Sequence, residues 1–176
     1  MTRLPLENLN SLAELLASTT TTRHSEWLDA ALVDEDGDLY IEIAAPAASD
    51  LSFGLWIATW NGEVTVGFDD YHRHFGDGAA PDGGASQAVD FVNAALDLAD
   101  RILAERIASV SWFDTDRMRA SGGIEADRPF KVESAGFRIR IRSWSGKFNR
   151  DIPQPFAYRI GLRKPRVSKA RVISEG

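Results

Sequence analysis

Cysteine is absent from this 176-residue chain, which excludes disulfides, thiolate nucleophiles and cysteine-based zinc sites. A reducing cytoplasm is the compartment this fits. No run of about eighteen apolar residues occurs, so no membrane-spanning helix is expected. The opening MTRLPLENLNSLAELLAS carries Glu7 and Glu14 and lacks a long apolar stretch, so it does not read as a signal peptide. No serine stands in a G-x-S-x-G elbow. The glycine cluster Gly76-Asp77-Gly78 and Gly83-Gly84 lacks a following G-K-[ST], and Asp77 and Asp82 would repel phosphate.

Basic residues are scarce in only part of the chain. Residues 1–100 hold 3 Lys and Arg against 18 Asp and Glu, whereas residues 101–176 hold 17 against 8. The net charge of −6 conceals this split. Three arrangements would account for it: mutual neutralisation across a sheet, an acidic face that docks a basic partner, or a basic face for nucleic acid or lipid.

The rest of the composition is globular, with 44% apolar residues, 5 Trp and 9 Phe, enough for one domain with a real core. Leu9, Leu12, Leu15 and Leu16 predict a helix from Pro5 to Ser18, ended by the hydroxyl run Ser18–Thr22. Glu26–Val33 and Leu39–Ala44 read as strands joined at Asp34-Glu35-Asp36-Gly37-Asp38. That acidic turn has calcium-loop alternation, but Gly37 comes too early and Ala45 replaces the terminal Glu. Phe53–Trp60 and Glu63 to about Tyr71 form a hairpin around Asn61-Gly62, a pair suited to a type I′ turn. A loop over Phe75–Ala85 precedes a main helix over Gln87–Arg106, with Ser86 as its cap and Phe91, Ala95, Leu98 and Ile102 on one stripe. Ile107–Arg119 reads as a strand broken at Ser121-Gly122-Gly123, Phe137–Trp144 as another, and Phe156–Leu162 as an edge strand. The order implies an α+β domain over 1–165, with a single antiparallel sheet of about six strands and helices packed on one face. A basic, loosely held tail over 166–176 follows.

Two constellations carry possible chemistry. Asp70, His72 and His74 fall at i, i+2 and i+4, so one extended strand would present all three on one face. Imidazoles and a carboxylate suit a divalent transition metal, and the same groups suit acid–base work. The bland alternative is a polar strand end in which Asp70 bonds one imidazole. Arg138, Arg140 and Arg142, with Trp144, Lys147 and Arg150 beyond, form a basic strand stripe of the kind that tracks single strands. Its bland alternative is pairing with acidic strands nearby, and an overall pI near 5.1 weighs against nucleic acid as the main partner.

The run Gly62 to Phe75, GEVTVGFDDYHRHF, resembles a signature of small bacterial toxin–immunity proteins, a strand of the form E-V-T-V-x-F-x-x-Y-H-x-H-F followed by a loop and an amphipathic helix. The likeness covers the middle third of the chain. It implies a compact, acidic, cytoplasmic protein without catalytic function that neutralises a toxin, with the Asp69–His74 edge as contact surface. The basic C-terminal third departs from a uniformly acidic inhibitor.

The sequence therefore reads as a non-catalytic module that binds a basic protein, a toxin domain in the implied case. Asp69, Asp70, Tyr71, His72, His74 and Trp60 are its candidate contact residues, with no cofactor and no catalytic residue. The alternative is a metalloprotein using Asp70, His72 and His74. The third reading is a nucleic-acid binder using Arg138, Arg140 and Arg142.

Overall fold

The computed structural model describes residues 7–76, 85–126, 130–132, 136–154 and 172–174. The chain is α+β and its strands pair antiparallel. The strands are shared among a five-stranded sheet, a four-stranded sheet and a two-stranded ribbon. Two compact units result: one of Met1–Ala44, Gly54–Phe68 and His72–Asp100, the other of Ala45–Phe53, Asp69–Tyr71 and Arg101–Gly176. The expected domain end at 165, the edge strand over 156–162 and most of the tail lie outside the described residues, as does most of the glycine-rich loop.

The first unit opens with α1 (Ser11–His24), which starts and ends six residues later than the leucine spacing predicts. Asn10 sets its start: the Asn10 side chain accepts from the Ala13 N–H at 3.0 Å. The buried stripe is Ala13, Leu16, Ala17 and Thr20, at helical spacing. The hydroxyl run does not end the helix, because four of its five hydroxyls find a carbonyl one turn back, while Thr20 is buried in the stripe. Ser18 and Thr19 donate to Leu15 O, Thr21 to Ala17 O and Thr22 to Ser18 O.

The expected strand over Glu26–Val33 is mostly a 3-10 helix, Ser25–Ala30, leaving only β1 (Leu32–Val33) as strand. Side-chain packing overrides the alternation here. Trp27 is buried and stacks on His24 with ring centroids 3.8 Å apart. His24 Nε2 lies 2.7 Å from Asp100 Oδ1, and Arg23 reaches both Asp97 and Asp100 at 2.6 Å. Those carboxylates belong to α2 (Ala85–Leu103), so α1 and α2 are tied by charge-assisted bonds.

The remaining strands of this sheet are β2 (Leu39–Ile43), β3 (Leu55–Trp60), β4 (Glu63–Phe68) and β5 (Tyr71–Phe75), in the order β1-β2-β3-β4-β5. Asn61 and Gly62 have φ of 52° and 78°, as the predicted I′ turn requires. One face holds Val33, Leu39, Ile41, Leu55, Ile57, Val64, Val66 and Phe68, all buried. The strand predicted to run through to Tyr71 is broken after Phe68: Asp69 takes φ of 50° and Asp69-Asp70 turn the chain into β5. Asp and Asn tolerate this left-handed conformation better than most residues.

The second unit is built on β6 (Ile107–Asp114), β7 (Arg117–Glu125), β9 (Arg138–Arg142) and β10 (Arg150–Ile152), in the order β10-β9-β6-β7. A ribbon of β8 (Phe130–Val132) and β11 (Val172–Ser174) completes it. The single strand expected over Ile107–Arg119 is a hairpin turning at Thr115, whose φ is 58°. Ser121-Gly122-Gly123 do not break the chain but pair in register with Ser111, Val110 and Ser109. The core beneath is Ala108, Val110, Trp112, Ile124, Ala126, Ile139 and Ile141.

The Asn10 side chain also donates to Asp38 Oδ1 at 2.8 Å, so it joins helix cap to hairpin turn. Asn10→Ala is expected to lower unfolding free energy by about 1–2 kcal/mol, read from urea denaturation.

Candidate functional site

The opposite face of the five-stranded sheet is where the acidic unit presents chemistry. Pairing register puts Leu32 beside Tyr40 and Tyr40 beside Ala58, and Ala58 beside Thr65. Two residues away in either direction, the same face carries Glu42 and Trp56 across from Gly67, and Trp60 across from Glu63. Tyr40 and Trp56 stack with ring centroids 6.3 Å apart. The Trp56 ring lies over Gly67, where a Cβ would come within 2.4 Å of its Cε2. Trp60, at the end of β3, is 74% exposed, whereas an indole usually hides most of its surface.

Beside Trp60 the face dips into an open groove of about 310 Å³. Leu32, Tyr40, Ala58 and Trp60 line it, and Asp34 and Asp38 stand at the turn end. The aspartates are held in place. Asp34 Oδ1 accepts from the backbone N–H groups of Asp36 and Asp38 at 3.0 and 2.9 Å. Asp38 Oδ1 accepts from Asn10 Nδ2 and from Thr59 Oγ1 at 2.8 and 3.0 Å, and Thr59 Oγ1 in turn accepts from Leu39 N–H at 2.8 Å. The five-residue acidic turn is thus a scaffold for two fixed carboxylates.

The histidines lie on β5. His72 and His74 are exposed, their ring centroids 5.1 Å apart in an edge-on arrangement. His74 Nδ1 lies 2.9 Å from Thr65 Oγ1 and 3.2 Å from Glu63 Oε2. The third histidine, His24, is engaged with Trp27 and Asp100. The break at Asp69-Asp70 removes Asp70 from the strand that carries His72 and His74, so the predicted i, i+2, i+4 series on one extended backbone does not form. Among the described residues no three His, Asp or Glu side chains converge as a metal-holding group.

Asp69 and Asp70 work inside the second unit. Asp69 is buried and accepts from Ser52 N–H at 3.0 Å and Ser109 Oγ at 2.9 Å. Asp70 Oδ2 accepts from Ser111 Oγ at 2.8 Å and from Arg140 Nη2 at 2.5 Å. Arg140 also reaches Asp69 at 3.4 Å. Tyr71 packs its ring on Gly123. Arg142 forms a bidentate pair with Asp151, both bonds 3.1 Å, and reaches Asp50 at 3.1 Å. Arg138 lies 4.4 Å from the Phe113 ring centroid. The basic stripe is thus committed to carboxylates and an aromatic ring within its own unit, and Arg142 is buried.

Of the predicted contact residues, then, Trp60, His72 and His74 are on the surface of the acidic unit, and Asp69 and Asp70 are structural. Tyr40, Asp34 and Asp38 are part of the face and were not among the predicted contacts. Their signal was present: Tyr40 alternates with inward Leu39 and Ile41, and the acidic turn directly precedes it.

The charge split seen between the chain halves carries over to the compact units, though less steeply. The first unit's segments hold 15 Asp and Glu against 3 Lys and Arg, a net −12, and the second unit carries +6. Burial raises the Tyr40 hydroxyl above its usual value of 10.0, with a smaller push from the Glu42 carboxylate.

Two outcomes test this face. Tyr40 keeps its proton to higher pH when folded than when unfolded, so its contribution to stability is intact below about pH 10 and lost above it. Tyr40→Phe should flatten part of the alkaline fall in unfolding free energy, measured by urea titration between about pH 9 and 11. Gly67→Ala should push Trp56 off β4 and cost about 1–3 kcal/mol, visible as a lower denaturation midpoint and a changed near-ultraviolet circular dichroism band. No protein-family model matches the chain, and neither does any curated protein or solved structure.

Proposed function

We propose that this protein is a non-catalytic binding module that captures a basic protein on the aromatic, acidic face of its five-stranded sheet. The observation that carries this reading is Trp60, 74% exposed at the margin of that face and flanked by fixed carboxylates. Exposed large aromatics at a concave site are the usual anchors of protein interfaces. A net −12 on the same unit would speed the approach of a cationic partner and repel nucleic acid. Stacking platforms for single strands need a positive groove, and this one is negative.

The partner class comes from the likeness of Gly62–Phe75 to toxin–immunity proteins. In the structure that run is β4, the Asp69-Asp70 turn and β5. It carries His72 and His74, and His74 lies beside Glu63 and Thr65, which pair with Trp60 and Ala58 of the aromatic row. The proposed role is neutralisation of a basic toxin domain in the cell that makes it.

The test pairs the chain with the product of the neighbouring reading frame. Co-expression should rescue growth, Trp60→Ala should weaken the complex about tenfold or more, and the association rate should fall steeply with salt. Failure to rescue, together with an association rate indifferent to salt, would reject the reading.

A further inference from the structure

The groove beside Trp60 has a size and chemistry of its own. Its volume of about 310 Å³ is at the lower end of ligand sites, which span about 300–1,000 Å³. That is room for one side chain, not for a nucleotide cofactor. Its walls are Leu32, Ala58 and two aromatics, Tyr40 and Trp60. Asp34 and Asp38 line its turn end, each fixed by two hydrogen bonds through Oδ1. Aromatic walls favour a flat cation over a neutral group, and paired carboxylates favour a donor with several N–H groups.

We infer that this groove is a receptor for one arginine side chain of the partner protein, with the guanidinium between Tyr40 and Trp60 and its N–H groups directed at Asp34 and Asp38. Arginine fits better than lysine. The guanidinium is planar, sheds water more readily than an ammonium, stacks on rings and offers a fork of donors. A bare metal ion is less suited, because most of the lining is apolar and two carboxylates supply too few ligands. The inference rests on the proposed protein-binding role but names what that role would recognise.

The probe is L-argininamide, titrated into the intact, isotopically labelled chain and followed by nuclear magnetic resonance. The Trp60 indole N–H and the Tyr40 and Ala58 amides should shift together and saturate. Citrullinamide, whose ureido side chain is uncharged, should bind at least about fivefold more weakly, as should lysinamide, which lacks the planar fork. Trp60→Ala should weaken argininamide about tenfold, and Asp34→Asn about threefold. Asp34→Asn keeps an oxygen for the Asp36 and Asp38 N–H groups, so the turn is retained, and an unchanged melting temperature verifies it. Equal binding of citrullinamide, shifts centred elsewhere, or affinity indifferent to both substitutions would overturn the arginine receptor. Tighter lysinamide binding would overturn the choice of arginine.

The two ideas fail separately. If argininamide does not bind but Trp60→Ala still breaks the complex with a basic protein, the arginine receptor is wrong and the binding role stands. If argininamide binds as described while co-expression gives neither rescue nor complex, the receptor stands and the toxin-neutralising role falls.

Discussion

The Asp38 carboxylate ties together the helix start, the acidic turn and the central strand of the first unit. Asn10 and Thr59 both donate to it, and Thr59 then receives the Leu39 N–H. Asn10 is also the cap of α1, and its own N–H meets Gly37 O at 3.0 Å. The beginning of the helix, the bend of the hairpin and the inward edge of β3 are therefore set by one oxygen atom. The groove depends on this arrangement. Tyr40 and Ala58 follow or precede the two strand residues in the chain of bonds, so their outward positions are fixed by how Leu39 and Thr59 are held. A recognition face built this way is preorganised, which limits the ordering entropy that binding must overcome.

Much of this was written in local pattern. Alternation in Leu39–Ile43, the Asn61-Gly62 pair and the apolar stripe of α2 each dictate their structure through short-range physics, and each is found where the sequence puts it. The elements that differ have causes that apolar alternation does not announce. The 3-10 helix over Ser25–Ala30 exists because Trp27 finds His24, and His24 finds Asp100, more than seventy residues away. The helix α1 runs through its hydroxyl run because Ser18, Thr19, Thr21 and Thr22 donate to carbonyls one turn back, an option that propensity counts as a cost. The Asp69-Asp70 break was hidden because a strand with Val64, Val66 and Phe68 alternating gives no notice of a left-handed residue next.

The site divides along the same line. The indole of Trp60 is anomalous in sequence because it sits at a turn, outside any core stripe, and the structure leaves it outside. The arginines of β9 alternate as a solvated face would, yet β6 places Ser109, Ser111 and Phe113 opposite them, and carboxylates from the adjacent β10 and from two distant segments pair with Arg140 and Arg142. Only the folded chain shows that pairing. The two acidic clusters therefore have opposite fates: Asp69 and Asp70 are consumed by serines and arginine, whereas Asp34 and Asp38 are braced by backbone and amide donors at the end of an open groove. Neutralised charge holds structure together; braced charge remains able to attract.

The segregation of charge by compact unit has a bearing on how the protein behaves in the tube. Near its isoelectric point of about 5.1 the net charge vanishes, but it does so by cancellation between a strongly acidic unit and a basic one. Molecules in that state attract through opposite signs on different copies instead of repelling through a common one. Modest added salt shortens the reach of those attractions to about 10 Å at 0.1 M. The protein should therefore dissolve better with some electrolyte than without it around pH 5, the salting-in behaviour of a polyampholyte rather than of an ordinary acidic protein.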